Sequence, residues 1–323
     1  MPEITVLTAV RNGADLLQET IDSVLAQTFE DWEHLIVDDG STDGTAELVE
    51  EAAGRDGRIR LLRRAESGGP FVAANEGVRQ ARGRFIARLD GDDISLPDRL
   101  QTQADFLRSR DSLRACCAFA PAFRQGEEPD TAGYTPSPLS AGALKWFLCL
   151  RCAMIHSTLF IEKAALEEIG LYRELPLSQD YRLFCDLARR GWVAVVPEFL
   201  GHQRKHTTNV SVTRKAEQRR HTVDLLQDHL RQLSGEEWTG EDAALLTAVG
   251  GAEQVPLGPG LRVLRRWDRL WGADAGLTAE ERGELADRSE EKRRQFIRGN
   301  AKRQPWGFAR HLGEYLSPRP AVL

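Results

Sequence analysis

The first hundred residues alternate two hydrophobic periods, and this alternation constrains the fold more than any other feature of the chain. Ile4-Thr5-Val6-Leu7-Thr8-Ala9-Val10 is a β-branched run without polar alternation, which predicts a strand buried on both faces, as in a parallel sheet. Asn12-Gly13 breaks it. Leu17, Ile21, Val24, Leu25 and Thr28 then recur at helical spacing, so a helix packs back over the sheet. The alternation repeats with Glu33 to Val37 as a strand, Thr45 to Ala53 as a helix and Ile59 to Leu62 as a strand. Phe71 to Arg82 then forms a helix and Arg84 to Leu89 a fourth strand. Strands and helices in this order build βαβ units and an α/β sheet.

In such a sheet ligands bind at the carboxyl ends of the strands. Two acidic clusters fall there: Asp38-Asp39 after the second strand and Asp90-Gly91-Asp92-Asp93 after the fourth. Paired aspartates beside Gly and Ser often only cap a helix or close a turn, and Ser41-Thr42-Asp43 is placed to cap the helix near Thr45. The Asp90 cluster is harder to explain in that way. Mutual repulsion raises the pKa of at least one carboxyl unless a cation or donor neutralises the set. An Asp-x-Asp at a strand end also projects both carboxylates into one crevice, a hard-oxygen site for Mg2+ or Mn2+ shared with a ligand's phosphates.

Competing motifs fail on context. Asp39 to Gly44 followed by Glu50 fits much of an EF-hand loop, but it is entered from a strand and no second hand follows. The turn after the first strand has one glycine, Gly13, where a dinucleotide fingerprint needs three, and no P-loop or G-T-R nucleotidyltransferase signature occurs.

The net charge of -6 argues against nucleic acid as a partner. Five cysteines, an odd number, follow an opening without a basic-apolar leader, which leads us to expect reduced, buried thiols and a cytoplasmic location. Cys149 and Cys152 form a C-x-x-C with no second pair to complete a zinc site. The apolar stretches Ala115 to Phe123 and Trp146 to Ile155 are interrupted by Pro121 and Arg151 and fall short of the ~18 residues a membrane span needs.

Further along, the sequence predicts a helix carrying Leu100, Ala104 and Leu107, and a mobile loop from Gln125 to Ser140. A helix from Ala164 to Glu168, another through Leu183 and Leu187, and a strand from Val193 to Val196 follow. Beyond Arg214 the pattern is helical and charged. Trp267 and Trp271 lie four apart among Arg262, Arg265, Arg266 and Arg269; Trp at helical spacing predicts packing, with an anionic membrane surface as the alternative.

The segments T-A-V-R-N-G-A (8–14), S-V-L-A-Q-T-F-E-D-W-E-H-L-I-V-D-D-G-S-T-D-G-T (23–45), A-A-N-E-G-V-R-Q-A-R-G (73–83) and R-L-D-G-D-D-I-S-L-P-D-R-L (88–100) closely resemble family 2 of the inverting glycosyltransferases, of GT-A fold. The resemblance continues through I-H-S-T-L-F (155–160), S-Q-D-Y-R-L-F-C-D-L-A-R-R-G (178–191) and Q-R-K-H-T-T-N-V-S (203–211). It implies a catalytic domain over residues 1–213, with a nucleotide-binding half (1–100) and an acceptor-binding half (101–213), followed by a helical extension (214–323).

What the resemblance implies for the site is specific. Asp92 is a ligand of Mn2+ or Mg2+, His206 a metal or phosphate ligand, and Asp90 lies near the ribose or donor sugar. Asp39 accepts from the nucleotide base and Asp38 serves the ribose, while Thr8 and Ala9 line the nucleotide pocket through their backbone and Asn75 helps shape it. Asp180 is the general base of a single displacement, against the alternative that it only caps its helix; His156 shapes the acceptor side or is a satisfied core histidine. Arg11 stands where relatives carry a base-stacking Tyr, and Gln179 replaces the commoner Glu before the base, which should leave Asp180 with a lower pKa than a Glu-Asp pair would give. The expected substrates are a nucleotide-sugar and a hydroxyl of a glycan or lipid-linked saccharide, with peripheral contact at the inner face of the cell membrane and a homodimer as further expectations. The competing reading is a catalytically silent nucleotide-binding scaffold subunit.

Overall fold

Strand β1 (Ile4–Val10) is flanked by parallel neighbours on both sides, β2 (Trp32–Asp38) and β4 (Phe85–Arg88), and this buried centre organises the sheet. The computed structural model describes residues 1–129, 131, 136, 138–150, 152, 154–206, 213–251 and 255–303, with side chains as far as 298. In chain order the elements between and after these strands are α1 (Ala14–Leu25), α2 (Thr45–Arg55), β3 (Ile59–Arg63), α3 (Pro70–Gln80), β5 (Ile94–Ser95), α4 (Arg99–Arg108), β6 (Ala115–Phe119) and β7 (Ala122–Phe123). Then come α5 (Ala141–Phe147), β8 (Phe160–Glu162), α6 (Lys163–Glu168), α7 (Gln179–Arg189), β9 (Val193–Phe199) and β10 (Gly201–Arg204). The last four helices are α8 (Lys215–Ser234), α9 (Gly240–Gly250), α10 (Leu257–Gly272) and α11 (Ala279–Arg303).

The seven-stranded sheet has the order β3-β2-β1-β4-β8-β6-β9. All pairings are parallel except those of β8, which runs antiparallel to β4 and β6. A three-stranded sheet, β5-β10-β7, joins the segment after β4 to the segment that carries His206. The predicted helical stripe of α1 is buried at Leu17, Ile21 and Val24, whereas Leu25 falls outside it and is exposed. Ile36 and Val49 join Leu17 and Ile21 in one apolar layer, while Ile4, Val6, Phe85, Phe160 and Leu100 fill the other. The strand order reverses between β1 and β4, so their carboxyl ends open the crevice where such sheets bind ligands.

The chain forms two compact units, one built from residues 1–139 and 154–215 and the other from 140–153 and 216–323. The segment from Ser140 to Ala153, which the sequence reading places with the acceptor half, thus packs with the C-terminal helices. The physical reason is its apolar face: Trp146 and Leu144 are buried, Trp146 Nε1 donates to Asp274 Oδ2 at 2.7 Å, and Trp267 Nε1 donates to the Trp146 carbonyl at 3.1 Å. Trp267 and Trp271 are therefore core residues, and their rings are not available as membrane anchors. No helix among the described residues is long and apolar enough to cross a membrane. Much of the loop expected between Gln125 and Ser140 (130, 132–135 and 137) lies outside the described residues, as do residues 207–211 of the last resembling segment.

Candidate active site

The loops after β1 and β2 are tied together by Asn12, which the sequence reading takes only as a strand breaker. Asn12, in the left-handed conformation at φ 53, accepts the Thr42 N–H at 2.9 Å and donates its own backbone N–H to Ser41 Oγ at 2.9 Å. Beside it Arg11 is exposed and Ala9 half-buried. Thr8 is wholly buried and its hydroxyl meets His34 Nε2 at 3.0 Å, so its side chain serves the sheet. Burial pushes His34 down to about 3, leaving it neutral.

The two acids after β2 are also engaged within the chain. Asp38 is fully buried; its Oδ1 accepts the Ser41 N–H at 2.9 Å and its Oδ2 lies 3.7 Å from Arg63 Nε. Asp39 accepts from Ser67 Oγ (2.7 Å), Gly68 N (2.9 Å) and Gly69 N (2.8 Å) and pairs with Arg64 Nε at 2.9 Å. Its carboxylate clamps the loop that leads into α3.

The acidic turn after β4 is the electrostatic centre. Asp90 Oδ1 pairs with Arg88 Nη2 at 2.6 Å, and its backbone N–H donates to Ser157 Oγ at 3.0 Å. Burial by itself would raise the Asp90 carboxyl, but Arg88, with His156 and Ser157, outweighs it and holds the group below the usual carboxylate range. Asp92 Oδ2 lies 2.7 Å from His206 Nε2, which joins the two residues expected at a metal. Asp93 is buried and is pushed up to about 8 by that burial and by the charges of Asp90 and Asp92. One of the three carboxyls is thus raised well above the usual carboxylate range, by burial first and by the crowding of the motif second.

The third cluster draws on residues far apart in the chain. The Asn75 side-chain amide grips the Tyr172 backbone in both directions, Nδ2 donating to the carbonyl at 2.8 Å and Oδ1 accepting the N–H at 3.0 Å. Asn75 thus acts on Tyr172, where the sequence reading has it shape the nucleotide pocket. Tyr172 Oη meets His156 Nε2 at 2.8 Å, and His156 Nδ1 faces Asp90 Oδ1 at 3.9 Å. Burial, with Arg88, holds His156 below its ordinary pKa, while Asp90 and Asp180 pull the other way. Asp180 sits in the first turn of α7, where its Oδ1 accepts the Tyr181 N–H at 2.8 Å. The N-cap is Ser178, a non-glycine residue in the left-handed region at φ 60, a strained start of the kind found at functional sites.

Sequence reasoning missed the buried arginines that hold this turn. Arg88 donates to the carbonyls of Leu7 (2.9 Å) and Leu89, Arg99 donates to the Arg88 carbonyl at 2.7 Å, and Arg204 donates through Nε to the Asp92 carbonyl at 2.8 Å. Buried charge is rare without a partner, so an arginine inside the R-L-D-G-D-D segment was the available signal. No group of three His, Cys, Asp or Glu among the described residues is arranged to hold a metal unaided.

Residues 5–164 match the model of the family Glycosyl transferase family 2. The putative teichuronic acid biosynthesis glycosyltransferase TuaG of Bacillus subtilis is 28% identical over 193 residues, which is 60% of this chain and 75% of that protein. Among solved structures, S. aureus TarS 1–349 superposes with a TM-score of 0.60 at 17% identity, over 94% of this chain and 92% of that one; it is also known in complex with UDP-GlcNAc. A mannosyltransferase from Pyrobaculum calidifontis, solved with GDP-Man and Mn2+, superposes with a TM-score of 0.57 at 17% identity, over 94% and 87% of the two chains. The sheet order, the acidic turn after β4 and the matched residues agree, and the chain belongs to the family 2 glycosyltransferases, with the GT-A fold.

Proposed function

We propose that the enzyme transfers a sugar from a nucleotide-sugar to a hydroxyl of a glycan or lipid-linked saccharide, by a single inverting displacement that needs a divalent cation. The observation that carries this reading is that His156 joins the acidic turn to the helix that Asp180 begins: its Nδ1 faces Asp90 Oδ1 at 3.9 Å and its ring stands edge-on to Phe184 of α7 at 6.4 Å. A departing diphosphate and an acceptor hydroxyl need such groups side by side.

Asp92 and His206 would hold Mn2+ or Mg2+. A pair of protein ligands suits an ion that completes its shell with the phosphates of its substrate and with water. Bound there, the cation would neutralise charge on the diphosphate leaving group. In the displacement the acceptor oxygen bonds to the anomeric carbon as the bond from that carbon to the phosphate oxygen breaks, and the acceptor proton passes to Asp180. Asp90, held ionised by Arg88, orients the donor. Arg11, exposed at the end of β1, replaces an aromatic stacking surface with a guanidinium, so the base of the nucleotide is an open choice between UDP and other diphosphates. The remaining parts of the reading are a cytoplasmic location, peripheral membrane contact through the charged helical extension, and a homodimer.

The test is Asp180→Asn. It should reduce transfer at least about 1,000-fold, in keeping with loss of a general base, while the affinity for the nucleotide-sugar changes little. Equal loss of donor binding would assign Asp180 to the architecture of α7 instead.

A further inference from the structure

His156 is the side chain on which the crevice converges, and the reaction scheme above gives it no task. Its ring stands edge-on to Tyr172 at 5.5 Å and to Phe184 at 6.4 Å, and its Nε2 is held by Tyr172 Oη at 2.8 Å. Tyr172 cannot shift without breaking the paired bonds to Asn75. The orientation of the imidazole is thus fixed by a chain of contacts that begins on α3.

The fixed orientation presents Nδ1 to Asp90 Oδ1 at 3.9 Å. That is too long for a hydrogen bond, yet one oxygen atom can lie about 2.8 Å from both atoms at once. The tautomer follows from electrostatics. If the phenol donates to Nε2, the proton sits on Nδ1 and points toward the carboxylate; the other tautomer would set a lone pair against it. Asp90 Oδ1 is anchored by Arg88 Nη2 at 2.6 Å and remains an acceptor. An N–H donor and a carboxylate acceptor side by side match a hydroxyl, which accepts from one and donates to the other. A phosphate oxygen or a metal ion could satisfy only one of them.

We propose that His156 Nδ1–H and Asp90 Oδ1 together read one hydroxyl group of the donor, with Tyr172 and Asn75 as positioning residues for the imidazole. The inference rests on the nucleotide-sugar reading above. The transferred sugar is the expected source of the hydroxyl, because the His156 ring also stands against Phe184 of α7, the helix whose first turn carries Asp180, and the sugar must lie beside the base. The ribose is the other source of the same chemistry.

The experiment measures dissociation constants for the full chain with Mn2+, using UDP, UDP-GlcNAc, GDP and GDP-mannose, for wild type, His156→Phe and Tyr172→Phe, each with its melting curve. His156→Phe should weaken the better-bound nucleotide-sugar about tenfold while the matching nucleoside diphosphate stays within about twofold. Tyr172→Phe, which keeps the ring but releases Nε2, should show the same selectivity at about threefold, and it remains informative if His156→Phe melts early. Equal weakening of diphosphate and sugar by both variants supports the hydroxyl pair and moves its source to the ribose. Unchanged affinities in folded variants overturn the proposal. If wild type binds none of the four compounds, the nucleotide-sugar reading fails first, and that is visible without any variant.

Discussion

Arg204 donates its backbone N–H to Asp93 Oδ1 at 2.8 Å, across 111 residues of sequence. The same residue sends Nε to the Asp92 carbonyl, pairs through Nη2 with Glu19 at 2.8 Å, and lies over the Phe123 ring at 4.6 Å. Two residues further on, His206 meets the Asp92 side chain. The middle strand of the small sheet, with the residues just after it, therefore fixes both the backbone and the carboxylates of the acidic turn.

Arg204→Met keeps most of the stem but removes the guanidinium. The Asp92 carbonyl then loses a charged donor, whereas half-exposed Glu19 can turn to water. We expect a loss of about 2 kcal/mol in urea denaturation, together with weaker Mn2+ binding in the presence of UDP. An unchanged midpoint would mean that the turn holds itself.

Asp92→Asn should abolish the thermal stabilisation that Mn2+ gives in the presence of UDP, while leaving the melting point without ligand within about 2 °C. EDTA should have the same effect on wild type. Retained Mn2+ dependence in the variant would place the cation elsewhere.

His34 makes the fold acid-sensitive. Its folded pKa of about 3 lies below the value of 6.5 for the unfolded chain, so between those limits the unfolded state holds the extra proton and stability falls as pH falls. The contribution is about 1.4 kcal/mol per pH unit. His34→Gln should reduce the slope of stability against pH between about 4 and 6 by close to one proton; an identical slope would show that other groups set it.

Gly83 sits where β1 leaves no space. A Cβ there would lie 2.4 Å from Thr5 N and 2.6 Å from the Ile4 carbonyl carbon, and backbone cannot yield as a side chain can. Gly83→Ala should destabilise by about 2 kcal/mol or more. A neutral result in thermal melts would mean that the strand can shift.

In the helical unit, Trp267→Ala removes a wholly buried ring and its bond to the Trp146 carbonyl. The expected cost is about 3–5 kcal/mol, read as early melting of the C-terminal helices. Sedimentation with anionic vesicles by protein that is still folded should not depend on Trp271→Phe, because that ring also packs inside.

The acidic turn follows β4 and Asp180 stands at the start of α7, as the resembling segments lead one to expect, because strand ends and helix starts are written in local patterns. The contacts that Asp39 and Asn75 make within the chain were not legible in them. The partners of Asp39 lie 25 to 30 residues away and that of Asn75 lies 97 residues away, beyond the range of any periodicity. The placement of Ser140 to Ala153 was hidden for the same reason: Trp146 reads as core in either unit, and its partner Asp274 is 128 residues distant.

Local pattern alone sets the alternation of the first four strands with three helices and the ends at which the acids stand, since a two-residue or 3.6-residue period needs only neighbours to be seen. It also predicts that one carboxyl of the Asp90 cluster is raised unless a cation or donor neutralises the set, since charges that close repel one another. The folded chain makes this carboxyl Asp93, because it buries that group while pairing Asp90 with Arg88. It alone brought Asn75, Tyr172, His156 and Asp90 into one chain of contacts, since hydrogen bonds between distant segments form only after the sheet has closed around them.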